Sequence, residues 1–312
     1  MNNKFLVSVL LLVAATLLGC GGGGGGGSSG GSGGAGLGGG GLSISVFSAG
    51  GSLNGPRHMV FYGGNLYVAN QLGNSILKID GSGNQTVILA SNRITAPIGI
   101  ATDGVDFFVS GTNTISSVQG IFPFPVAGNV LGAELATCNC YGLVATPAAG
   151  VINGSGRLYS VDQGGNVVKV YTSAGLRNSP VVNNGPTGLG LFNNTVFVTR
   201  HSATMSKIDI TDAAATFSVD NASLFANPNG IAINPSNGDM YVVNEGTAGA
   251  SSVLKVTAAG GVSEFLPATA SSKLCYATGV AIKDSALYIS NGNCAAGATA
   301  AERNYILKVS PI

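Results

Sequence analysis

Apolar and polar positions between Leu42 and Ile312 alternate in short runs, and Gly, Asn, Ser and Pro break those runs every few residues. Period-two alternation between such breakers marks half-buried β-strands joined by tight turns. One strand carries an aromatic in register six times: LYVAN (66–70), FFVSG (107–111), LYSVD (158–162), VFVTR (196–200), MYVVN (240–244) and LYISN (287–291). The copies stand roughly forty to fifty residues apart, so a repeated supersecondary unit organises the chain. A glycine-marked apolar segment precedes each copy: HMVFYGG (58–64), IGIATDG (98–104), AGVINGS (149–155), TGLGLFN (187–193), NGIAINP (229–235) and TGVAIKD (278–284). A third strand follows each: SILKID (75–80), TISSVQ (114–119), NVVKVY (166–171), TMSKID (204–209), SVLKVT (252–257) and YILKVS (305–310).

A fourth strand ends most units, as TVILAS (86–91), SPVVNN (179–184), SLFANP (223–228) and VSEFLP (262–267), with a weaker candidate at FPFPV (122–126). The last unit has none before Ile312, whereas ISVFSAG (44–50) stands unpaired ahead of the first unit and looks like SLFAN and VSEFL. These residues predict an all-β, six-bladed β-propeller over 42–312, closed by an N-terminal strand that completes the last blade. A solenoid would need capping ends, and the C-terminus offers none. A seventh blade could come only from the irregular 120–146 segment, which lacks the aromatic strand.

The unit resembles the NHL repeat in GNLYVANQLGNSILKI (64–79), GRLYSVDQGGNVVKV (156–170) and GDMYVVNEG (238–246). It departs from that family at Asn70 and Asn244, where an Asp is usual, and keeps the acid as Asp162. The resemblance implies a fold more than an activity.

Ahead of the repeats, residues 1–19 read as a lipoprotein signal peptide: a cation at Lys4, an apolar run from Phe5 to Leu18 and the small Gly19. A spanning helix needs about 20 apolar residues, so the run predicts cleavage. Leu17-Leu18-Gly19-Cys20 resembles the bacterial lipobox, which implies that Cys20 is lipidated and becomes the mature N-terminus, anchored by several acyl chains. Residues 20–41 form a linker in which 16 of the 21 residues after Cys20 are glycine. Such a chain has an r.m.s. reach of roughly 25 Å and fixes no orientation. In the lipoprotein family Gly21, rather than Asp, after the cysteine implies the outer membrane or cell surface of a two-membrane bacterium, with the periplasm as the alternative.

Charge narrows the partners. There are 14 Lys or Arg against 13 Asp or Glu, and loss of Lys4 with the leader leaves 13 against 13. A neutral chain with 9% charged residues has no field to attract nucleic acid, so no nucleic-acid partner is expected. The absence of Trp disfavours a redox quinoprotein propeller.

In a propeller, the connections between units and those between second and third strands share one end, here the top. Tyr67, Phe108, Tyr159, Phe197, Tyr241 and Tyr288 are expected to fill the gaps between blades. Lys78, Lys169, Lys207, Lys255 and Lys308 are read as one recurring position, with stems on the blade and ammonium groups in solvent. Cys275 precedes the first strand of the last unit and Cys294 follows its second, which predicts a disulfide in an oxidising compartment. Cys138 and Cys140, entering the third unit, either pair with each other or stay free. Four thiolates around one ion at about 2.3 Å are disfavoured by this placement.

The only two histidines each follow an arginine: Arg57-His58 enters the first unit and Arg200-His201 leaves the second strand of the fourth. With Asp162 and Glu245 they are the acid, base and anion-binding groups of the top. The competing reading makes the arginines surface residues and the imidazoles partners of loop hydrogen bonds. PNGIAINPSNGDMYVVNEG (228–246) is similar to a metal-site segment of the gluconolactonase family, which implies Asn229 as a Ca²⁺ ligand and puts Asn244 where that family has Asp. The first glutamate is Glu134, so an early Glu ligand is missing, and hard cations need carboxylates among several oxygens. No cofactor is therefore expected, Ca²⁺ being the one candidate.

The sequence thus predicts a monomeric, membrane-anchored binding or scaffold propeller for a protein or glycan, presenting the 120–146, 245–251 and 292–304 loops. The alternative is a lactonase-like, metal-dependent hydrolase or a streptogramin-lyase-like enzyme at the channel mouth. The two are separated by whether His58, Asp162, Asn229 and Glu245 meet around a polar pocket.

Overall fold

The computed structural model describes residues 41–146, 150–193, 195–201, 204–209, 216–220, 223–246, 250–269, 273–292, 294 and 303–312. The signal peptide, Cys20, the linker up to residue 40 and parts of the 245–251 and 292–304 loops lie outside them.

The described strands form a β-propeller. The first sheet contains β2 (Pro56–Tyr62), β3 (Asn65–Asn70), β4 (Ser75–Ile79) and β5 (Gln85–Leu89). The third contains β11 (Cys140–Ala145), β12 (Leu158–Asp162), β13 (Val167–Thr172) and β14 (Gly175–Asn178). The fourth contains β15 (Pro186–Phe192), β16 (Thr195–Arg200), β17 (Thr204–Asp209) and β18 (Thr216–Asp220). The fifth contains β19 (Pro228–Ile233), β20 (Met240–Asn244), β21 (Ser252–Val256) and β22 (Val262–Leu266). The last joins β23 (Ala277–Lys283), β24 (Ala286–Asn291) and β25 (Tyr305–Ser310) to β1 (Ser43–Ala49). β1 runs antiparallel to β25 from the Ser43–Ser310 pair to the Ala49–Tyr305 pair. The beginning and end of the repeat region therefore share a sheet, and Phe47 packs edge-on against Tyr288, with ring centroids 4.9 Å apart.

The sheet of the second repeat differs, which corrects the expectation of six like blades: there are five regular four-stranded blades and one irregular five-stranded sheet. Its inner edge is split into β6 (Ile94–Thr95) and β7 (Ile100–Thr102), both paired with β8 (Asp106–Asn113), and β9 (Gln119–Pro125) is followed by the short β10 (Ala136–Thr137). The expected third strand at 114–119 is mostly a turn, and FPFPV belongs to β9 rather than to a fourth strand. Pro123 and Pro125 lack the N–H that an outer neighbour would use, and β10 accordingly pairs only with Gly120 and Ile121.

Three further expectations change. The inner strand of the third repeat is β11, not AGVINGS, which lies in the β11–β12 connection where Val151 N–H donates to Asp103 Oδ2 at 2.7 Å. The fourth strands of the third and fourth repeats are β14 and β18, ahead of the expected 179–184 and 223–228. Lys169 pairs with Ser160, whereas Lys78, Lys207, Lys255 and Lys308 pair opposite Tyr67, Phe197, Tyr241 and Tyr288. A one-residue offset reverses the face on which a strand side chain stands, so Lys169 leaves that lysine column.

The aromatic column packs as expected, with Phe108 and Tyr159 fully buried and Tyr241 nearly so. Burying each large ring contributes about 1.5–3 kcal/mol relative to exposure. The inner strands contact one another around the axis in the order β2, β7, β11, β15, β19, β23 and back to β2. One residue of each, namely Met59, Ile100, Leu143, Leu189, Ile231 and Val280, lines a common axial cavity.

The residues just before that apolar ring are Gly99, Gly142, Gly188, Gly230 and Gly279, and in β2 the equivalent is His58. A Cβ at Gly188 would overlap the Asn229 carbonyl oxygen, one at Gly230 that of Thr278, and one at Gly279 that of Arg57. Glycine here lets adjacent inner strands converge on the axis. In alternate sheets a hydroxyl fixes this approach: Gly99, Gly188 and Gly279 N–H donate to Ser110, Thr199 and Ser290 at 2.7–2.8 Å.

Candidate binding site at the channel mouth

The top end of the axis carries a continuous polar chain. It starts at a break in strand register: Arg57 and His58 fall between the Pro56–Asn70 and Met59–Val68 pairs, where the β2–β3 register shifts, and such an irregularity re-aims side chains. Arg57 Nε donates to Gln71 Oε1 at 2.7 Å, and its Nη1 lies 3.5 Å from Glu245 Oε1. Asn229 Nδ2 donates to the other Glu245 oxygen at 2.7 Å, while Asn229 Oδ1 lies 3.3 Å from His58 Nε2. Glu245 follows β20 and Asn229 lies in β19, so one chain of contacts joins the first and fifth sheets across the mouth.

Burial sets the charge state of His58. Its pKa is lowered to about 4, chiefly by desolvation; the Asn229 hydrogen bond opposes this, the Arg57 cation adds to it, and the Glu245 carboxylate raises it least. At neutral pH the imidazole is uncharged. A carboxylate oxygen can only accept, so Asn229 must turn its amide nitrogen to Glu245 and its carbonyl to His58. The imidazole then carries its proton on Nε2 and leaves Nδ1 as a lone pair. No other described residue hydrogen-bonds to Nδ1.

Beside this chain opens a cavity of about 260 Å³ lined by Arg57, Gln71, Leu72, Glu245 and Tyr276 among others. Tyr276 is partly exposed and holds φ at +43°, an uncommon conformation for a bulky residue. Its neighbour Cys275 is disulfide-bonded to Cys294, as the sequence predicts, and Cys275 N–H donates to Asn291 Oδ1 at 2.8 Å. The bridge and this hydrogen bond pin the segment that presents the phenol ring. Cys138 and Cys140 are also bonded to each other, on the third repeat.

The other candidates are not brought here. Asp162 pairs with Lys169 at 2.7 Å and accepts from Gly165 N–H, so it braces the β12–β13 turn. Arg200 ends β16, in the sheet opposite β2 around the ring, and His201 follows it; His201 is exposed and its backbone N–H donates to Gly185 O at 3.0 Å. Asn244 is buried, its amide nitrogen donating to Leu224 O and Ser252 Oγ at 2.8 and 3.0 Å. Asn70, at the same strand position, likewise binds Ser52 O and Ser75 Oγ and accepts from Asn54 N–H. Asn244 therefore belongs to a column of loop braces. Three of the four discriminating residues, His58, Asn229 and Glu245, thus meet and Asp162 does not.

These contacts do not fit the implied Ca²⁺ site. Asn229 is committed to Glu245 and His58, Asn244 is turned into its own sheet, and Glu245 is the carboxylate in the chain, already engaged by Arg57 and Asn229. Among the described residues no group of three His, Cys, Asp or Glu side chains could hold a metal ion.

Sequence reasoning missed Gln71, and it missed that His58 occupies a glycine position. The signal was present in aligned segments such as HMVF, GIAT and GLGL, where one column reads His once and Gly elsewhere.

No protein-family model matches the sequence, and no curated protein matches it. Solved structures do. The chain is similar to an auxiliary nutrient binding protein from Bacteroides ovatus, with TM-score 0.63 and 14% identity over 87% of this chain and 77% of that one. It is similar to virginiamycin B lyase from Staphylococcus aureus, with TM-score 0.56 and 16% identity over 87% of this chain and 100% of that one. A PQQ-bound aldose sugar dehydrogenase from Streptomyces coelicolor gives TM-score 0.55 and 18% identity over 86% of this chain and 98% of that one. Identities this low establish the β-propeller fold and leave activity to be argued from the site.

Proposed function

We propose that this protein is a membrane-tethered, extracytoplasmic binding propeller that takes a glycan end in the cavity at its channel mouth, with the irregular second-repeat sheet serving as the sixth blade. The observation that carries the reading is the Gln71–Arg57–Glu245–Asn229–His58 chain beside a cavity of about 260 Å³. A sugar ring needs fixed donors and acceptors for its hydroxyls and an apolar face for its C–H groups. Arg57, Gln71 and Glu245 supply the first, and the pinned ring of Tyr276 supplies the second. One structurally similar propeller is described as an auxiliary nutrient binding protein, in keeping with a binding role.

The start of the repeat region stands clear of the mouth. β1 begins at Ser43, opposite Ser310 and near the Lys283–Ala286 hairpin, and ends at Ala49, opposite Tyr305 and near Asn291. The polar chain lies at the Asn291 end, so the repeat region begins at the end of the sheet away from the mouth.

The second reading, a hydrolase or lyase, draws on the neutral His58, available as a proton acceptor. A general base works best with a pKa near the operating pH. An imidazole at about 4 is a weak base at neutral pH, which favours binding over catalysis. Calorimetric titration with glucose, galactose, mannose and N-acetylglucosamine tests the proposal. Saturable binding that Arg57→Ala weakens is the expected result; no binding of any of them contradicts it.

A further inference from the structure

We propose that the axial neck beneath the mouth is a subsite that reads a single hydroxyl group of a bound sugar, with His58 Nδ1 as its acceptor. This rests on the channel-mouth reading and goes further, because it names the residue and the sugar feature that set specificity.

Three observations carry it. The first is the glycine column. Five inner strands place glycine at this level, and in Gly99, Gly188, Gly230 and Gly279 a Cβ would overlap the carbonyl oxygen of the next strand. The first sheet alone places a side chain there, and a large polar one. Ring closure does not call for it: His58 N–H still reaches Ile98 O at 3.2 Å, so the imidazole adds nothing to the β2–β7 contact that a glycine would lack.

The second is the tautomer. Glu245 orients Asn229, Asn229 orients His58, and the chain ends in a lone pair on Nδ1 with no partner among the described residues. The lowered pKa keeps that lone pair free of a proton at neutral pH. An acceptor held neutral in this way selects a donor, and a sugar hydroxyl is one.

The third is size and polarity. The neck cavity lined by His58 and the apolar ring is about 40 Å³. A single water needs roughly 10–15 Å³ on this measure, so the neck admits a hydroxyl or hydroxymethyl group and excludes a sugar ring. Met59, Ile100, Leu143, Leu189, Ile231 and Val280 surround it with apolar groups, each at most 7% exposed. A site built to hydrogen-bond one hydroxyl discriminates against an analogue that lacks it, because its polar partner is left unpaired.

The test is calorimetric titration of the wild type, His58→Ala and His58→Gly with the same four sugars, followed by each monodeoxy form of whichever binds. In the wild type, one monodeoxy sugar should bind about tenfold more weakly than its parent, and in both variants that difference should vanish. Both variants should melt as cooperative domains, and His58→Gly installs the residue that the other inner strands carry. If a sugar binds but the parent-to-deoxy ratio is the same in the variants, the neck subsite is wrong and the mouth reading survives. If no sugar binds the wild type, both fall.

Discussion

The dipeptide Arg-His occurs twice, at Arg57-His58 and at Arg200-His201, and the two copies lie on opposite sides of the ring. His58 sits within β2, in the column that elsewhere is glycine, and its imidazole is held neutral by burial. His201 follows β16, is exposed and packs against Gly185. Residue type is the same and the environment opposite. What separates them is the position in the repeat: a side chain one residue before the apolar ring faces the axis, whereas one past the second strand faces solvent. Chemistry in this propeller is assigned by column.

The strongest way to break that conclusion is to alter the column where it is glycine. Gly188→Ala should destabilise the protein by about 3 kcal/mol, in the range of overpacking and buried-hydrogen-bond loss. Its Cβ would overlap the Asn229 carbonyl oxygen, and the neighbouring Thr199 hydroxyl leaves no room to retreat. Denaturant unfolding checks this, and a change under 0.5 kcal/mol would remove the steric basis of the column.

A pH series then separates the two histidines. The native pKa of His58 lies near 4, below its unfolded value near 6.5, so the unfolded chain takes up a proton first as pH falls. Stability held above pH 6.5 should decline down to about pH 4 by up to about 3 kcal/mol. Urea midpoints should show this in the wild type and in His201→Ala, and the His58 share of it should be missing in His58→Ala.

A smaller effect is expected at Glu245. Glu245→Ala removes an acceptor from Asn229 and a partner from Arg57, and the cost should be about 1–2 kcal/mol, since both groups retain some water. It should also lower the His58 pKa further, because the carboxylate raises it. Smallest of all, His201→Ala should change the unfolding free energy by less than about 0.5 kcal/mol, as surface substitutions do. A larger loss there would mean that the exposed copy carries a role this comparison denies it.

The sequence made the repeats and the closing strand legible, because the aromatic column and the unpaired ISVFSAG segment each answer to a simple packing need. It misplaced the third inner strand because YGLVA and AGVIN both offer glycine followed by apolar residues, and only the approach of Gly142 to the Thr187 carbonyl decides between them. Lys169 was misread because a lysine one residue out of register looks the same in the sequence and stands on the opposite face of the sheet. Of the site, Arg57, His58, Asn229 and Glu245 were each visible as chemical types. Their meeting was not, since it depends on the first and fifth sheets being brought two places apart around the axis by closure of the ring.

Nitrogen-15 NMR of the His58 imidazole, assigned by its disappearance in His58→Ala and followed from pH 8 to pH 3, tests the mouth network most directly. The account predicts a neutral ring with the proton on Nε2 until the pH approaches about 4. A ring that is already half charged near pH 6.5, or one that carries its proton on Nδ1, would contradict it.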